Sequence, residues 1–205
     1  MKLTPQEKLT IEAYDQNATV WADSRNKQGV WGNEKNKFHQ YLSHGKIIEI
    51  GSGGGRDAKD LIALGYDYIG TDISNGLLEV AKKNNPGVSF FLQSVYELDF
   101  NPDSFDGFWA SAVLLHMPKD RIDEALNSIK RILKSGAIGF ISLKKGDGEK
   151  LVEGDHVGIE YKRFFSFYQK NEFTQILKNN DFEILESYEF DHSDKKWLAF
   201  FVKNK

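Results

Sequence analysis

The 205-residue chain has no cysteine, which excludes a disulfide framework, thiol chemistry and any thiolate-held metal. It has no apolar leader, and no apolar run approaches the roughly 20 residues that cross a bilayer. That pattern points to a cytoplasmic protein without a membrane partner. Excess charge is missing too. Lysine and arginine number 27 against 30 acids, a net charge of −3, so no overall basic field draws the chain to nucleic acid. The five histidines, His39, His44, His116, His156 and His192, show no metal-ligand spacing. Asp155 beside His156 is the acid–imidazole neighbourhood left open, and no metal is expected. A G-x-S-x-G elbow is absent, which leaves hydrolase chemistry unsupported. Internal repeats and low-complexity linkers are absent as well. What is present, 40% hydrophobic and 13% aromatic residues, is enough for one domain spanning 1–205 with a substantial core.

The stretch Ile47–Ser74 organises that domain. Ile47, Ile48 and Ile50, broken only by Glu49, read as a buried strand. A turn with Gly51, Gly53, Gly54 and Gly55 follows, then Ala58, Leu61, Ile62 and Leu64 at helical spacing, with Gly65 as the stop. A second strand from Tyr66 to Thr71 ends on Asp72. This is the first half of a nucleotide-binding βαβ unit: glycines admit a ligand against main chain, the helix N-terminus offers free N–H groups, and the acid about 20 residues on grips a ribose diol. A dinucleotide G-x-G-x-x-G would need glycine at 56, where the chain has Arg56, and a phosphate-binding G-x-x-x-x-G-K-[ST] loop is missing.

Elsewhere the chain alternates. Pro5–Tyr14 suits a short helix, 24–29 a polar loop, and Phe38, Tyr41 and Leu42 a helix packed on a sheet. Ser74 caps a helix carrying Leu77, Leu78, Val80 and Ala81. Val88–Leu92 and Phe105–Ser111 read as the third and fourth strands, and the end of the fourth (Trp109, Ala110, Ser111) falls opposite the glycine turn. Ile122, Ala125, Leu126, Ile129, Ile132 and Leu133 form one apolar helical face. Ser135-Gly136 should end it and Ala137–Leu143 form the fifth strand. Residues 146–165 are charged and glycine-containing, which predicts a mobile loop able to act as a lid. Ser166 and Gln169 have the spacing of a capping box. Phe182–Phe190 and Trp197–Val202 predict a closing antiparallel hairpin, with the second strand apolar enough for the sheet interior.

The pattern Glu49-x-Gly51-x-Gly53-x-Gly55-Arg56-Asp57 with Asp72 ending the next strand resembles the class I S-adenosylmethionine (SAM)-dependent methyltransferases. SFDGFWASAVLLHM and LKSGAIGFISLK are similar to that family's fourth strand with its loop and its fifth strand, so the resemblance covers about Lys46–Lys145. It implies an α/β fold: a three-layer Rossmann-like sandwich around a seven-stranded, mostly parallel sheet with an antiparallel C-terminal strand. On that resemblance residues 1–45 form a helical cover or lid, 46–145 the cofactor core, 146–165 a substrate-side loop, and 166–205 a helix and strand hairpin.

The resemblance also implies the cofactor, SAM, with S-adenosylhomocysteine as product, and methyl transfer to oxygen or nitrogen of a small-molecule acceptor. Gly51, Ser52, Gly53 and Gly55 would carry the methionine and ribose portion. Glu49 would brace that turn, and Arg56 would meet either the cofactor carboxylate or Asp57 and Asp60. Asp72 would hold the ribose, with Ile73 against adenine and Ser94 and Val95 beside it; relatives commonly have aspartate where this chain has Ser94. Ala110 would border the cofactor. Tyr14 and Trp21 would close over it and Trp31 over the substrate, or all three would simply pack as a cover along with Arg25. His116 is either a general base, since histidine titrates near neutrality, or a brace for its loop. Lys144, Tyr161 and Arg163 either bind an anionic substrate or form a solvated face. Other readings are a methyltransferase for a modified tRNA base or peptide terminus, an NAD-linked oxidoreductase, and a non-catalytic SAM-binding regulator. Monomer and homodimer both fit.

Overall fold

A computed structural model describes residues 2–25, 31–156, 159–192 and 194–205. Seven strands form the main sheet: β1 (Lys46–Ile50), β2 (Asp67–Asp72), β3 (Ser89–Leu92), β4 (Phe105–Ser111), β5 (Leu133–Lys144), β8 (Phe182–His192) and β9 (Lys195–Asn204). Their order is β3-β2-β1-β4-β5-β9-β8. Every neighbouring pair is parallel except β5–β9 and β8–β9. The order reverses between β1, which runs on to β2, and β4, so a crevice opens at their carboxyl ends. The seven-stranded α/β architecture and the interior placement of the apolar strand Trp197–Val202 are both as the sequence implied.

The helices follow their apolar periodicity. α6 (Ile122–Ile132) buries Ile122, Ala125, Leu126, Ile129 and Ile132. α4 (Ala58–Ala63) buries Ala58 and Leu61, and α5 (Asn75–Asn84) buries Leu77, Leu78 and Ala81. The sheet's centre is aromatic: Trp109 stacks on Phe140 at 4.0 Å. Three helices precede the sheet, α1 (Pro5–Gln16), α2 (Ala18–Arg25) and α3 (Gly32–Tyr41). Thr4 and Glu7 make a reciprocal cap on α1.

Several local expectations are corrected. The charged segment 146–165 is not a loop: β6 (Glu149–His156) and β7 (Ile159–Ser166) pair as a separate antiparallel hairpin. Its inward face carries Arg163 and Phe165 at strand period, while Glu153 and Lys162 pair at 2.6 Å on the outside, so composition resembled that of a loop. α6 hands directly to β5 at Leu133, without a turn at Ser135-Gly136. The Ile132 carbonyl accepts from Ser104 N–H at 2.9 Å and Leu133 already pairs with Phe105. The capping box of α7 (Lys170–Asn179) is Gln169 with Glu172. Ser166, the proposed cap, ends β7 and donates to the Met117 carbonyl at 2.6 Å. The loop at 24–29 falls largely outside the described residues, as do the side chains of Arg25, Asp155 and His156. Among the described residues no helix is long and apolar enough to cross a membrane, and no group of three potential metal ligands forms.

Candidate cofactor and acceptor site

A cavity of about 270 Å³ lies at the carboxyl ends of β1, β2 and β4, beneath α1, α2 and β7. Its floor is built from main chain. The turn after β1 bends back so that Ser52 N–H meets the Thr71 carbonyl at 2.8 Å. Gly51 stands at φ +71°, and a Cβ there would lie 2.5 Å from Val113, so glycine is required twice over. Asp72 accepts from Gly53 N–H and Ser74 N–H, both at 2.8 Å. Burial raises its carboxyl above the usual range, opposed by these main-chain donors. Gly53 at φ +54° has nothing within 4 Å of the place a Cβ would take. Ser52 Oγ is buried without a hydrogen-bond partner among the described residues. Ile73, Ser94 and Val95 continue the wall, and Ser94 Oγ turns back to accept from Tyr96 N–H at 3.3 Å.

Behind the floor sits an ionic brace. Asp57 is 2% exposed and meets Lys35 Nζ and Arg56 Nη2, each at 2.8 Å. Burial pushes Asp57 up, but the two cations overcome it and hold the carboxyl below its ordinary value. Glu49 accepts from the Tyr68 hydroxyl; burial, then the Asp57 charge, pushes its carboxyl well above the usual range. Of the two roles open to Arg56, the structure shows the bond to Asp57, although the residue still lines the cavity.

The roof is made of side chains from distant parts of the chain. Tyr14 of α1 contacts His116 Nε2 at 2.9 Å, and His116 Nδ1 lies 2.6 Å from the Phe164 carbonyl. A carbonyl only accepts, so Nδ1 carries the hydrogen and Nε2 accepts from the Tyr14 hydroxyl. Burial drives His116 down to about 3, so the imidazole stays neutral near pH 7 with both nitrogens engaged. Of the two sequence readings, this geometry is that of a brace which positions Tyr14. Arg163 Nη1 donates to the same tyrosine oxygen at 3.0 Å. Its guanidinium lies 4.1 Å from the Trp21 ring centre and 4.6 Å from that of Tyr161. Lys144 Nζ sits 3.9 Å over Phe165. Neither cation belongs to a solvated face: both line the cavity, and Arg163 is buried.

α1 is fastened to the core at three places. Thr10 Oγ1 accepts from Phe164 N–H at 2.9 Å. Glu7 meets Arg121 at 2.9 Å and takes the Tyr96 hydroxyl at 2.7 Å. Asp15 accepts from Ser74 Oγ at 2.6 Å and Gly76 N–H at 2.9 Å, joining the C-terminal end of α1 to the start of α5.

Four sequence-chosen residues miss the cavity wall. Trp31 is buried against Phe190 and Trp197, at 5.3 and 5.5 Å between ring centres, one layer behind the wall. Tyr161 stands behind Arg163, Ala110 is enclosed within β4, and Gly55, at φ +75°, packs on Ala81 instead. Reasoning from sequence overlooked Ala22, Val113, Phe165 and Trp197, all of which line the cavity. The alternation Tyr161, Arg163, Phe165 was the available signal for Phe165.

Sheet order, glycine turn and acid-tipped β2 are accompanied by a sequence match: residues 48–141 match the family described as a methyltransferase domain. Over 98 residues the chain is 34% identical to the methyltransferase GfsG of Streptomyces halstedii, covering 44% of this chain and 34% of that protein. The chain spans about a third to a half of the length of the first curated relatives it matches. In fold it is similar to the 1,6-didemethyltoxoflavin-N1-methyltransferase of Burkholderia thailandensis. The TM-score is 0.79 at 18% identity, over 100% of this chain and 92% of that one. The [4+2]-cyclase SpnF has the same fold, with TM-score 0.75 at 16% identity over 98% and 97% of the two chains.

Proposed function

We propose that this protein is an enzyme that transfers a methyl group from SAM to an oxygen or nitrogen of a small-molecule acceptor, leaving S-adenosylhomocysteine. The observation that carries this reading is the Asp72 carboxylate at the cavity wall. Two main-chain N–H groups hold it beside a turn with an open space at Gly53 and a buried Ser52 Oγ that has no partner among the described residues. These residues fit the cofactor: Asp72 would take the ribose hydroxyls, Ile73, Ser94 and Val95 the adenine, and Ser52 and Gly53 the portion between. When bound, SAM supplies a methyl group on a sulfonium, already an excellent leaving group.

The chain's own contribution is position and dryness. Aligning two reactants in line and excluding water is worth roughly 7–11 kcal/mol of barrier. α1 and the β6–β7 hairpin cover the cavity for that purpose. Tyr14 presents its hydroxyl there in one orientation, because His116 takes its proton side and Arg163 its oxygen. A second reading, SAM binding without methyl transfer, is favoured by the presence of a cyclase among the fold relatives, since fold alone does not fix chemistry.

Calorimetric titration with SAM, S-adenosylhomocysteine and NAD tests the cofactor. Saturable binding of both adenosyl ligands, lost in Asp72→Ala, is the expected outcome. Binding of NAD alone, or of none, would sink the proposal. Tight SAM binding without turnover across an acceptor pool would favour the second reading.

A further inference from the structure

Arg163 is a cation enclosed by the protein without a counter-ion among the described residues. It is 9% exposed and lines the cavity. Among the described residues its one hydrogen bond goes to the neutral Tyr14 hydroxyl, and its buried Nε has no partner. Among the described residues four carboxylates also line the cavity, and each is committed elsewhere. Glu7 is held by Arg121 and Tyr96, and Glu49 by Tyr68. Asp57 is held by Lys35 and Arg56, and Asp72 by main chain. An uncompensated buried charge is costly and is tolerated where something else supplies the opposite sign.

The surroundings of that charge are flat and apolar. Trp21, Tyr161, Phe165 and Tyr14 place their rings 4.1, 4.6, 5.3 and 5.4 Å from the guanidinium carbon. A second cation, Lys144, lines the same cavity over Phe165. The planar guanidinium fork matches a carboxylate edge-on while its faces stack on rings. Aromatic walls around two cations therefore select a ligand that is both planar and anionic.

We propose that the methyl acceptor is a planar aromatic small molecule bearing a carboxylate, which pairs with Arg163 in the roof of the cavity, with Lys144 adding to the field. The inference rests on the methyltransferase reading. The carboxylate of the cofactor itself is the other source of the same chemistry, and two placements favour the acceptor. Arg163 bonds Tyr14, the tyrosine held by His116 of the loop after β4, whereas Asp72 ends β2, on the far side of β1. Arg56, which directly follows the glycine turn in sequence, lines the same cavity and is the cation adjoining that turn.

The test begins with S-adenosylhomocysteine binding to the wild-type protein; its absence would defeat the cofactor reading. On protein saturated with that ligand, benzoate, benzamide and acetate are then titrated by calorimetry. The expected result is saturable benzoate binding, with benzamide and acetate each at least tenfold weaker. In Arg163→Gln the preference for benzoate over benzamide should disappear, and Arg163→Lys should restore part of it. Equal affinity for benzoate and benzamide, or no benzoate binding, would overturn this inference while leaving the cofactor reading intact. A tenfold or greater loss of S-adenosylhomocysteine affinity in Arg163→Gln, in protein that circular dichroism shows folded, would assign the arginine to the cofactor instead and equally overturn it.

Discussion

The floor and the roof of the cavity are made in opposite ways. The floor comes from one continuous stretch, Ile47–Ser74, and its decisive contacts are main-chain: Ser52 to Thr71, Gly53 and Ser74 to Asp72. The roof joins side chains far apart in sequence. Tyr14 meets His116 across 102 positions and Arg163 across 149. A floor of backbone offers the same groups whatever the surrounding side chains, which suits a ligand that does not change. A roof of side chains can be altered one residue at a time, which suits a partner that differs from one relative to the next.

Mutations can test that division. The largest effect is expected from Asp72→Ala, which on the proposed function removes the acceptor for the two ribose hydroxyls. A loss of about 3 kcal/mol in SAM binding, near a hundredfold, should appear by calorimetry. An affinity within a few-fold of wild type would mean the floor is not the cofactor's seat. Gly51→Ala forces a Cβ against Val113 at positive φ and should cost about 2 kcal/mol of stability in urea denaturation. An unchanged midpoint would show that the turn has slack the geometry denies.

The roof should instead reveal itself through pH. His116 sits near 3 when folded, pushed down by burial, against about 6.5 when unfolded. The unfolded chain therefore binds the extra proton as pH falls below about 6.5. The stabilising effect of the neutral imidazole is complete above that value and is lost progressively towards pH 3, with a slope approaching ~1.4 kcal/mol per pH unit. His116→Asn should flatten that part of the profile; an identical slope in the variant would break the account. The smallest effect belongs to Trp31→Phe. Trp31 packs behind the wall, so the change should cost about 1 kcal/mol of stability and leave S-adenosylhomocysteine affinity unchanged. A substantial drop in affinity would return Trp31 to the site.

The same contrast decides what could be read from the sequence. The glycine turn and Asp72 were legible because spacing along one segment dictates their placement, Glu49 through the family resemblance, and α6 because its apolar period is unbroken. The β6–β7 hairpin was not, since its outer face of Lys and Glu masks the alternation that Arg163 and Phe165 keep on the inner one. The engagement of both His116 nitrogens was also invisible. It depends on a tyrosine from the first helix and a carbonyl from β7, which no local pattern brings together. Trp31 was misplaced for the reverse reason: an aromatic near a lid segment looks alike whether it faces a ligand or a neighbouring strand.

The position of β9 bears on how the protein is made. β9 lies between β5 and β8, and its residues Leu198–Val202 are completely buried. During synthesis from the N-terminus, β5 emerges about sixty residues before its partner. Throughout that interval the growing chain carries an apolar strand edge with no strand beside it, a template for pairing with other nascent chains. The sheet closes only when residues 195–204 leave the ribosome. The emergence of β9, not the appearance of the glycine turn, therefore sets the moment at which this domain becomes safe from its neighbours.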